Sequence, residues 1–332
     1  MKFRAYFQIS TKARLPPGDN MTLHTTIADF LSTLPPPPPG PLNPQAMRAG
    51  EEQQAARQEN RLPMASVEDR TLPTQAGEVN VRLYTPDHQA THGAVVYFHG
   101  GAFFLGSLNT HDHVARELAR ATQCVVVAVD YRLAPEHAFP AGLQDCYAVV
   151  KWLAQYGAQA GTGMGWDGQT LAVAGDSSGG NYAAAVAAMA LDDGLQCITH
   201  QVLYYPSVDL DFDSTRYASR ITNAVGYGLE TAMLKPFNAF YLDSGADPQN
   251  PLVSPIKRQN LAGLPAALIV TAQYDPLRDE GERYGQKLAQ AGVAVKVHRY
   301  EGAGHGFIQH FSWLPEFQGV YAETAAFLRG TR

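Results

Sequence analysis

The sequence predicts an α/β fold in which helices cover both faces of a mostly parallel sheet of about eight strands. From about residue 94 onward, short apolar runs of strand length alternate with longer helical segments, which is typical of β-α-β units. Two earlier runs flank a Gln75-Ala76-Gly77 turn and predict an antiparallel pair. The third observation is a serine between two glycines, Gly175-x-Ser177-x-Gly179, where a strand should meet a helix.

The predicted elements follow from hydrophobic pattern and breaker residues, taken in chain order. Strands are predicted at 67–72, 78–84, 94–98, 124–130, 171–175, 198–205, 267–272 and 293–300. Helices are predicted at 23–34, 47–61, 111–122, 140–156, 179–192, 230–241, 278–291 and 315–329. The proline run at 35–39 is expected to be a stiff, extended spacer between the first two helices.

The segment 207–255 interrupts the alternation of strands and helices. It is rich in aspartate and aromatic residues and holds one predicted helix. Because open α/β sheets bind ligands beyond the carboxyl ends of their strands, we expect this insertion to lie over that edge.

Charge and cysteine content argue against several classes of protein. The chain carries 25 Lys and Arg against 31 Asp and Glu, a net charge of −6, without a basic stripe. This argues against nucleic acid or an anionic membrane surface as a partner. Cys124, Cys146 and Cys197 have unrelated spacings, so reduced thiols in a reducing compartment are expected rather than a disulfide framework or a zinc site.

No apolar run reaches the length of a membrane span. Residues 1–15 are basic, but they are not followed by the apolar segment and cleavage site of a secretory signal, so a cytoplasmic location is expected. His111 and His113 have no third ligand at a typical metal spacing. A solvated helix start is therefore favoured over a metal site.

The segment around Ser177 has the spacing of a nucleophile elbow. Glycines on both sides permit a sharp strand-to-helix turn that lifts the serine oxygen out of the sheet, toward the positive end of the helix dipole. The alternative is an ordinary turn with a helix-capping serine. The strand before it and the alanine-rich helix after it favour catalysis.

Two further residues complete the pattern of an acyl-transfer site. Asp275 follows the predicted strand 267–272, and His305 lies between glycines after the strand 293–300. The order Ser, Asp, His along the chain is that of the α/β-hydrolase triad. Alternatives are a helix-capping role for Asp275 and a structural role for His305. Their shared loop position after a strand favours catalysis.

A glycine loop follows the strand 94–98 and supplies the fourth part of such a site. Gly100 and Gly101 are consecutive, and consecutive glycines let backbone N–H groups converge on one point, as an oxyanion hole requires. A flexible turn would explain the glycines but not their position at a strand end, 76 residues before Ser177.

Together these segments resemble the hormone-sensitive-lipase-like family of α/β-hydrolases, the bacterial family IV esterases. A hairpin that leads into a parallel sheet is also the order found in α/β-hydrolases. The resemblance covers about residues 65–330 in family order and at similar spacing. It is carried by HGGA at 99–102, DYRLAPE at 130–136, GDSSGG at 175–180, DPLRDE at 275–280 and HGF at 305–307.

The resemblance implies a serine carboxylesterase that cleaves short- to medium-chain acyl esters without a metal or organic cofactor. Ser177 would be the nucleophile, His305 the general base and acid, and Asp275 the group that orients the imidazole. The 130–136 stretch would brace the loop through an Arg, Asp and Glu network. The expected oxyanion hole is formed by backbone at Gly100, Gly101, Ala102 and Ser178, and the expected substrate contacts are Phe103, Tyr205 and Phe212.

The resemblance also divides the chain. Residues 1–60 would form an N-terminal extension and part of a helical cap, 61–206 the first part of the hydrolase core, 207–255 the cap insertion and 256–332 the second part of the core. Members of the family often associate through their last strand, which makes a homodimer an expectation. At Ala102 the family usually has a third glycine. A Cβ there faces the hole and disfavours positive φ.

Two alternative functions stay open. The same machinery could hydrolyse an acetyl ester or an amide of one specific natural substrate, with only the cap pockets changed. The chain could also be a non-catalytic small-molecule receptor on this scaffold, as the plant gibberellin receptors are, which lack the catalytic histidine. The presence of Ser177, Asp275 and His305 favours an enzyme.

Overall fold

A single sheet organises the computed structural model of the chain, which describes residues 22–34, 40–56, 61–86, 93–159, 166, 168–213 and 215–330. Within these residues the sheet has eight strands, in the order β1-β2-β4-β3-β5-β6-β7-β8. The strands are β1 (Ser66–Thr74), β2 (Gly77–Thr85), β3 (Ala94–Phe98), β4 (Val125–Asp130), β5 (Leu171–Asp176), β6 (His200–Tyr204), β7 (Ala266–Tyr274) and β8 (Val295–Gly304). The predicted proline spacer at 35–39 lies outside the described residues.

The pairing of the strands confirms the predicted mostly parallel sheet. Strand β2 pairs antiparallel with β1 and with β4. All the pairs from β4 through β3, β5, β6 and β7 to β8 are parallel. The carboxyl ends of the parallel strands therefore meet along one edge, where the loops after them converge.

Helices cover both faces of this sheet. The helices of the core are α3 (Asp112–Thr122), α4 (Ala141–Trp152), α5 (Ser178–Asp192), α8 (Arg278–Gln290) and α10 (Gly319–Gly330). Apolar side chains of α4, α5 and α8 belong to the core layer on one face, and those of α3 and α10 to the layer on the other. Strand β3 is buried along its whole length because it is covered on both sides.

Further helices lie over the carboxyl edge of the sheet. They are α1 (Thr25–Thr33), α2 (Pro44–Ala55), α6 (Ser219–Thr222), α7 (Thr231–Leu242) and the short α9 (Phe307–His310). Helix α2 begins before the predicted residue 47 because Pro44 occupies its first turn and the Asn43 side chain accepts a hydrogen bond from the Ala46 N–H.

A buried ion pair fastens the 207–255 segment to the core. The guanidinium of Arg220 donates to the Glu280 carboxylate on α8, and both side chains are fully buried. The other carboxylate oxygen accepts hydrogen bonds from the backbone N–H groups of Val208 and Asp209. This network holds the start of the segment, and with it the wall of the pocket described below, against α8.

Candidate active site

Ser177 lies on a strained turn between β5 and α5. Its backbone has φ +53° and ψ −117°, a conformation that residues other than glycine rarely adopt. A Cβ on Gly175 would lie 2.2 Å from the Gly179 oxygen, and one on Gly179 would lie 2.0 Å from the Phe98 oxygen. Positions 175 and 179, two residues before and after Ser177, therefore require glycine, as the nucleophile-elbow spacing predicts.

The structure brings Ser177, Asp275 and His305 together. Asp275 directly follows β7, and His305 directly follows β8. The His305 Nε2 lies 3.0 Å from the Ser177 Oγ, and its Nδ1 lies 2.7 Å from an Asp275 carboxylate oxygen. Both distances are within hydrogen-bonding reach, so the three side chains form a continuous chain from carboxylate to hydroxyl.

The surroundings of Asp275 fix the imidazole in one orientation. The Asp275 side chain is fully buried, and its second oxygen accepts the Leu277 N–H at 2.8 Å. A buried carboxylate beside Nδ1 favours the tautomer with the proton on that nitrogen. The Nε2 lone pair of His305 is then free to accept the Ser177 proton.

Other carboxylates and imidazoles near these positions in the sequence have different partners. The Asp279 carboxylate accepts the Ser219 N–H, and His298 pairs with Glu323. The His113 Nε2 contacts the Gln309 carbonyl oxygen at 2.6 Å. Among the described residues, no group of three or more His, Cys, Asp or Glu side chains is placed to hold a metal ion.

The backbone N–H groups of Gly101, Ala102 and Ser178 are available for an oxyanion. None of the three donates to an acceptor within the described part of the chain. All three residues line the pocket that contains Ser177. The expectation that Gly100 contributes to the oxyanion hole is wrong. Its N–H donates to the Asp176 carboxylate at 2.9 Å and is therefore not free to stabilise an oxyanion.

Asp176 anchors the start of this loop. One of its carboxylate oxygens accepts both the Gly100 N–H and the Tyr97 hydroxyl. Burial raises the pKa of the carboxyl, but the neighbouring His111 and Tyr97 outweigh it and hold that pKa below its usual value. The carboxylate thus fixes Gly100, the residue before Gly101 and Ala102, which line the pocket.

The pocket beside Ser177 has an apolar wall and a polar wall. The apolar wall includes Leu105, Leu229, Leu234, Phe237 and Leu277, and the polar lining includes Glu51, His111, Ser207, Asn238 and Gln309. Several of these residues come from α2 and from the 207–255 segment. Nothing in the sequence indicated Glu51, which lies in a polar helix. Phe237, by contrast, belongs to the aromatic-rich insertion that was expected over this edge.

Of the expected substrate contacts, only Tyr205 lines the pocket. The expected contact of Phe103 with the substrate is wrong, because Phe103 is fully buried and stacks on Tyr241 at a centroid distance of 3.8 Å. The expected contact of Phe212 is also wrong. Phe212 does not line the pocket, and the Arg220 guanidinium lies over its ring. Both rings pack in the framework around the site and not in the pocket itself.

The expected bracing network is present around the 130–136 segment. Arg132 makes a two-pronged contact with the Asp145 carboxylate, at 2.8 and 2.7 Å. Glu136 pairs with Arg48 on α2.

No helix in the described ranges has the length and apolar character needed to cross a membrane.

Comparison with known proteins places this site in a family. A family model described as the alpha/beta hydrolase fold matches residues 95–309. The esterase LipI of Mycobacterium tuberculosis is 41% identical, with the match covering 76% of this chain and 78% of that protein. An arylesterase of Saccharolobus solfataricus is 36% identical over 74% of this chain and 78% of its own.

Solved structures show the same relationship. A thermostable esterase from Pseudomonas putida superposes with a TM-score of 0.87 at 32% identity, covering 95% of this chain and 98% of that chain. An esterase from Pyrobaculum calidifontis superposes with a TM-score of 0.80 at 40% identity, covering 87% and 94%. With its fold, its motifs and these matches, the chain belongs to the hormone-sensitive-lipase-like family of α/β-hydrolases.

Proposed function

We propose that this carboxylesterase hydrolyses short- to medium-chain acyl esters through a covalent acyl-enzyme, with Ser177 as the nucleophile. The observation that carries the proposal is the hydrogen-bonded chain from Asp275 through His305 to the Ser177 hydroxyl. The esterases among its relatives support the reaction class. The apolar wall of the pocket supports an acyl or alcohol group of several carbons.

The reaction takes two steps. The His305 Nε2 removes the Ser177 proton as the serine oxygen attacks the ester carbonyl, and the N–H groups of Gly101, Ala102 and Ser178 stabilise the oxyanion. The tetrahedral intermediate collapses, and the alcohol leaves with the proton from His305. Water, deprotonated by the same imidazole, then attacks the acyl-enzyme carbonyl and releases the acid and the free Ser177.

The test is hydrolysis of p-nitrophenyl esters with acyl chains from acetyl to dodecanoyl, by wild type and by Ser177→Ala. The substitution should lower kcat by at least about a thousandfold, because no other nucleophile can form the acyl-enzyme. Ser32→Ala, at an exposed position on α1, controls for nonspecific effects. A fluorophosphonate should label wild type and not Ser177→Ala.

The same rate profile decides between the proposed substrates. A maximum at butyryl to octanoyl supports the proposal, whereas a maximum confined to acetyl favours an acetyl esterase with the same machinery. Activity of Ser177→Ala within tenfold of wild type would contradict the assigned nucleophile.

We further propose a cytoplasmic location and a homodimer. Cys124, Cys146 and Cys197 are not joined in a disulfide in the structure, which suits a reducing compartment. Strand β8 lies at an edge of the sheet, and Val297 on it is 41% exposed. An exposed edge strand with an apolar residue suits pairing with a second copy, which sedimentation equilibrium would measure.

A further inference from the structure

The polar wall of the active-site pocket contains hydrogen-bonding groups that the triad and the oxyanion hole do not use. Glu51 on α2, His111 at the start of α3 and Gln309 on α9 come from three separate parts of the chain, and all three line the pocket that contains Ser177. The rest of the lining includes leucines and Phe237. A substrate in this pocket therefore meets both polar and apolar side chains.

Glu51 holds its place through only one of its two carboxylate oxygens. Oε2 accepts the Gly106 N–H at 3.0 Å. Oε1 has no hydrogen-bond partner among the residues that the structure describes. Burial of the carboxyl raises its pKa, as expected for an acid in a largely apolar pocket. The site thus contains an acceptor that a bound molecule could satisfy.

His111 and Gln309 add further groups without partners. His111 is 3% exposed, and its Nε2 has no hydrogen-bond partner in the described residues, with the nearest Asp176 oxygen 3.7 Å away. The side-chain amide of Gln309 is half-buried and likewise has no partner there. Buried polar atoms such as the His111 Nε2 normally find a partner. The unpartnered groups of this lining are therefore suited to a polar group that the ligand brings.

We propose that this wall is a subsite for a hydroxyl group of the substrate and that Glu51 determines this specificity. A hydroxyl can donate to the free Glu51 oxygen, and the Gln309 amide lines the same pocket. A methyl group in place of the hydroxyl would leave the carboxylate oxygen without a partner, at a cost in binding and rate. The inference rests on the proposed esterase function and names its substrate class as hydroxy-substituted esters.

The test uses two pairs of esters that differ only by hydroxyl against methyl. In the alcohol group the pair is 2-hydroxyethyl butyrate and propyl butyrate; in the acyl group it is ethyl 3-hydroxypropanoate and ethyl butyrate. The measured quantity is the ratio of kcat/KM within each pair, divided by the ratio of the alkaline hydrolysis rates. In wild type, one of the two ratios should exceed about ten, which corresponds to about 1.4 kcal/mol.

Glu51→Gln is the informative variant. Its amide oxygen can still accept the Gly106 N–H, so the loop keeps its contact while the pocket receives an NH2 donor in place of the acceptor. The hydroxyl-to-methyl ratio should fall at least fivefold. Glu52→Gln is the matched control: Glu52 accepts from Ser107 and Asn109 on the same loop but does not line the pocket. It should leave the ratio unchanged.

The outcomes separate this inference from the proposed function. Ratios near one for both pairs in wild type, or a ratio that Glu51→Gln does not change, overturn the hydroxyl subsite while the esterase activity stands. An equal fall of the ratio in Glu51→Gln and Glu52→Gln would assign Glu51 to holding the loop and also overturn it. Absence of Ser177-dependent hydrolysis of all four esters would overturn both.

Discussion

Ala102, which lines the pocket beside Ser177, has a strained backbone. Its φ of +49° and that of Phe103, +67°, lie in the left-handed region that favours glycine. The loop holds them there because the Phe103 carbonyl accepts the Ala134 N–H and the Phe103 N–H donates to the Ser178 Oγ at 3.2 Å. The positive φ that an alanine Cβ disfavours is thus imposed by the contacts around it.

Ala102→Gly should therefore stabilise the protein. Removing the Cβ relieves a left-handed conformation that costs an alanine about 1–2 kcal/mol, and the added freedom of the unfolded chain offsets about half of this. The free energy of unfolding in urea should rise by about 0.5–1 kcal/mol. Ala326→Gly, at an exposed position on α10, should lower it by up to about 1 kcal/mol. Equal losses in both variants would show that Ala102 is not strained.

At the scale of elements, helix α2 contacts the glycine loop after β3, which carries the proposed oxyanion hole. Arg48, Glu51 and Glu52 share one face of the helix, at the i, i+3 and i+4 spacing. The Arg48 guanidinium donates to the carbonyl oxygens of Phe104 and Ala134, and Glu51 and Glu52 accept hydrogen bonds from the loop. Helix α2 thus holds the loop that carries the proposed oxyanion-hole backbone.

Arg48→Met tests this support. Methionine keeps the apolar stem but leaves the loop carbonyls without donors, so the free energy of unfolding should fall by about 1–3 kcal/mol. Because a looser loop loses stabilisation mainly in the transition state, kcat should fall about tenfold or more with a smaller change in KM. Arg70→Met, at an exposed pair with Glu68, should change both by little. An unchanged kcat in Arg48→Met would contradict the role of α2.

The elements differ in how far the sequence predicted them. Strand β3 is an apolar run buried on both sides, so its predicted and observed bounds agree at 94–98. The triad follows from glycine spacing and chain order. The contacts of α2 could not be predicted, because its polar residues resemble those of a solvated helix while their partners lie more than 50 residues away. For the same reason, nothing local distinguishes buried Phe103 from a pocket residue.

At the scale of the whole molecule, the site lies against imidazoles that the fold encloses. His99 is 3% exposed and stacks on Tyr131 at a centroid distance of 4.3 Å and on His111 at 5.3 Å. Burial, and then the neighbouring His111, lower the pKa of His99 from 6.5 to about 3. Burial likewise lowers the pKa of His113 to about 4 and that of His310 to about 3. The native state therefore holds these side chains neutral.

This burial links folding to pH. His99 takes up a proton near pH 6.5 in the unfolded chain, but only near pH 3 in the folded protein. Its contribution to the free energy of unfolding is therefore fully present above pH 6.5 and is lost progressively as the pH falls from 6.5 toward 3. The contribution of His99 is about 1.4 kcal/mol for each pH unit below 6.5. His113 and His310 act in the same direction, which makes the slope steeper.

The measurement is the free energy of unfolding in urea between pH 7.5 and 4.5. His99→Gln removes one group that takes up a proton on unfolding, so below pH 6 the slope should be smaller than that of wild type by about 1.4 kcal/mol per pH unit. Tyr204→Phe loses a buried hydroxyl that bonds to Thr324 and keeps His99 with its contacts. It should lower stability at every pH and leave the slope unchanged. Parallel curves for wild type and His99→Gln would show that His99 titrates alike in the folded and unfolded chain.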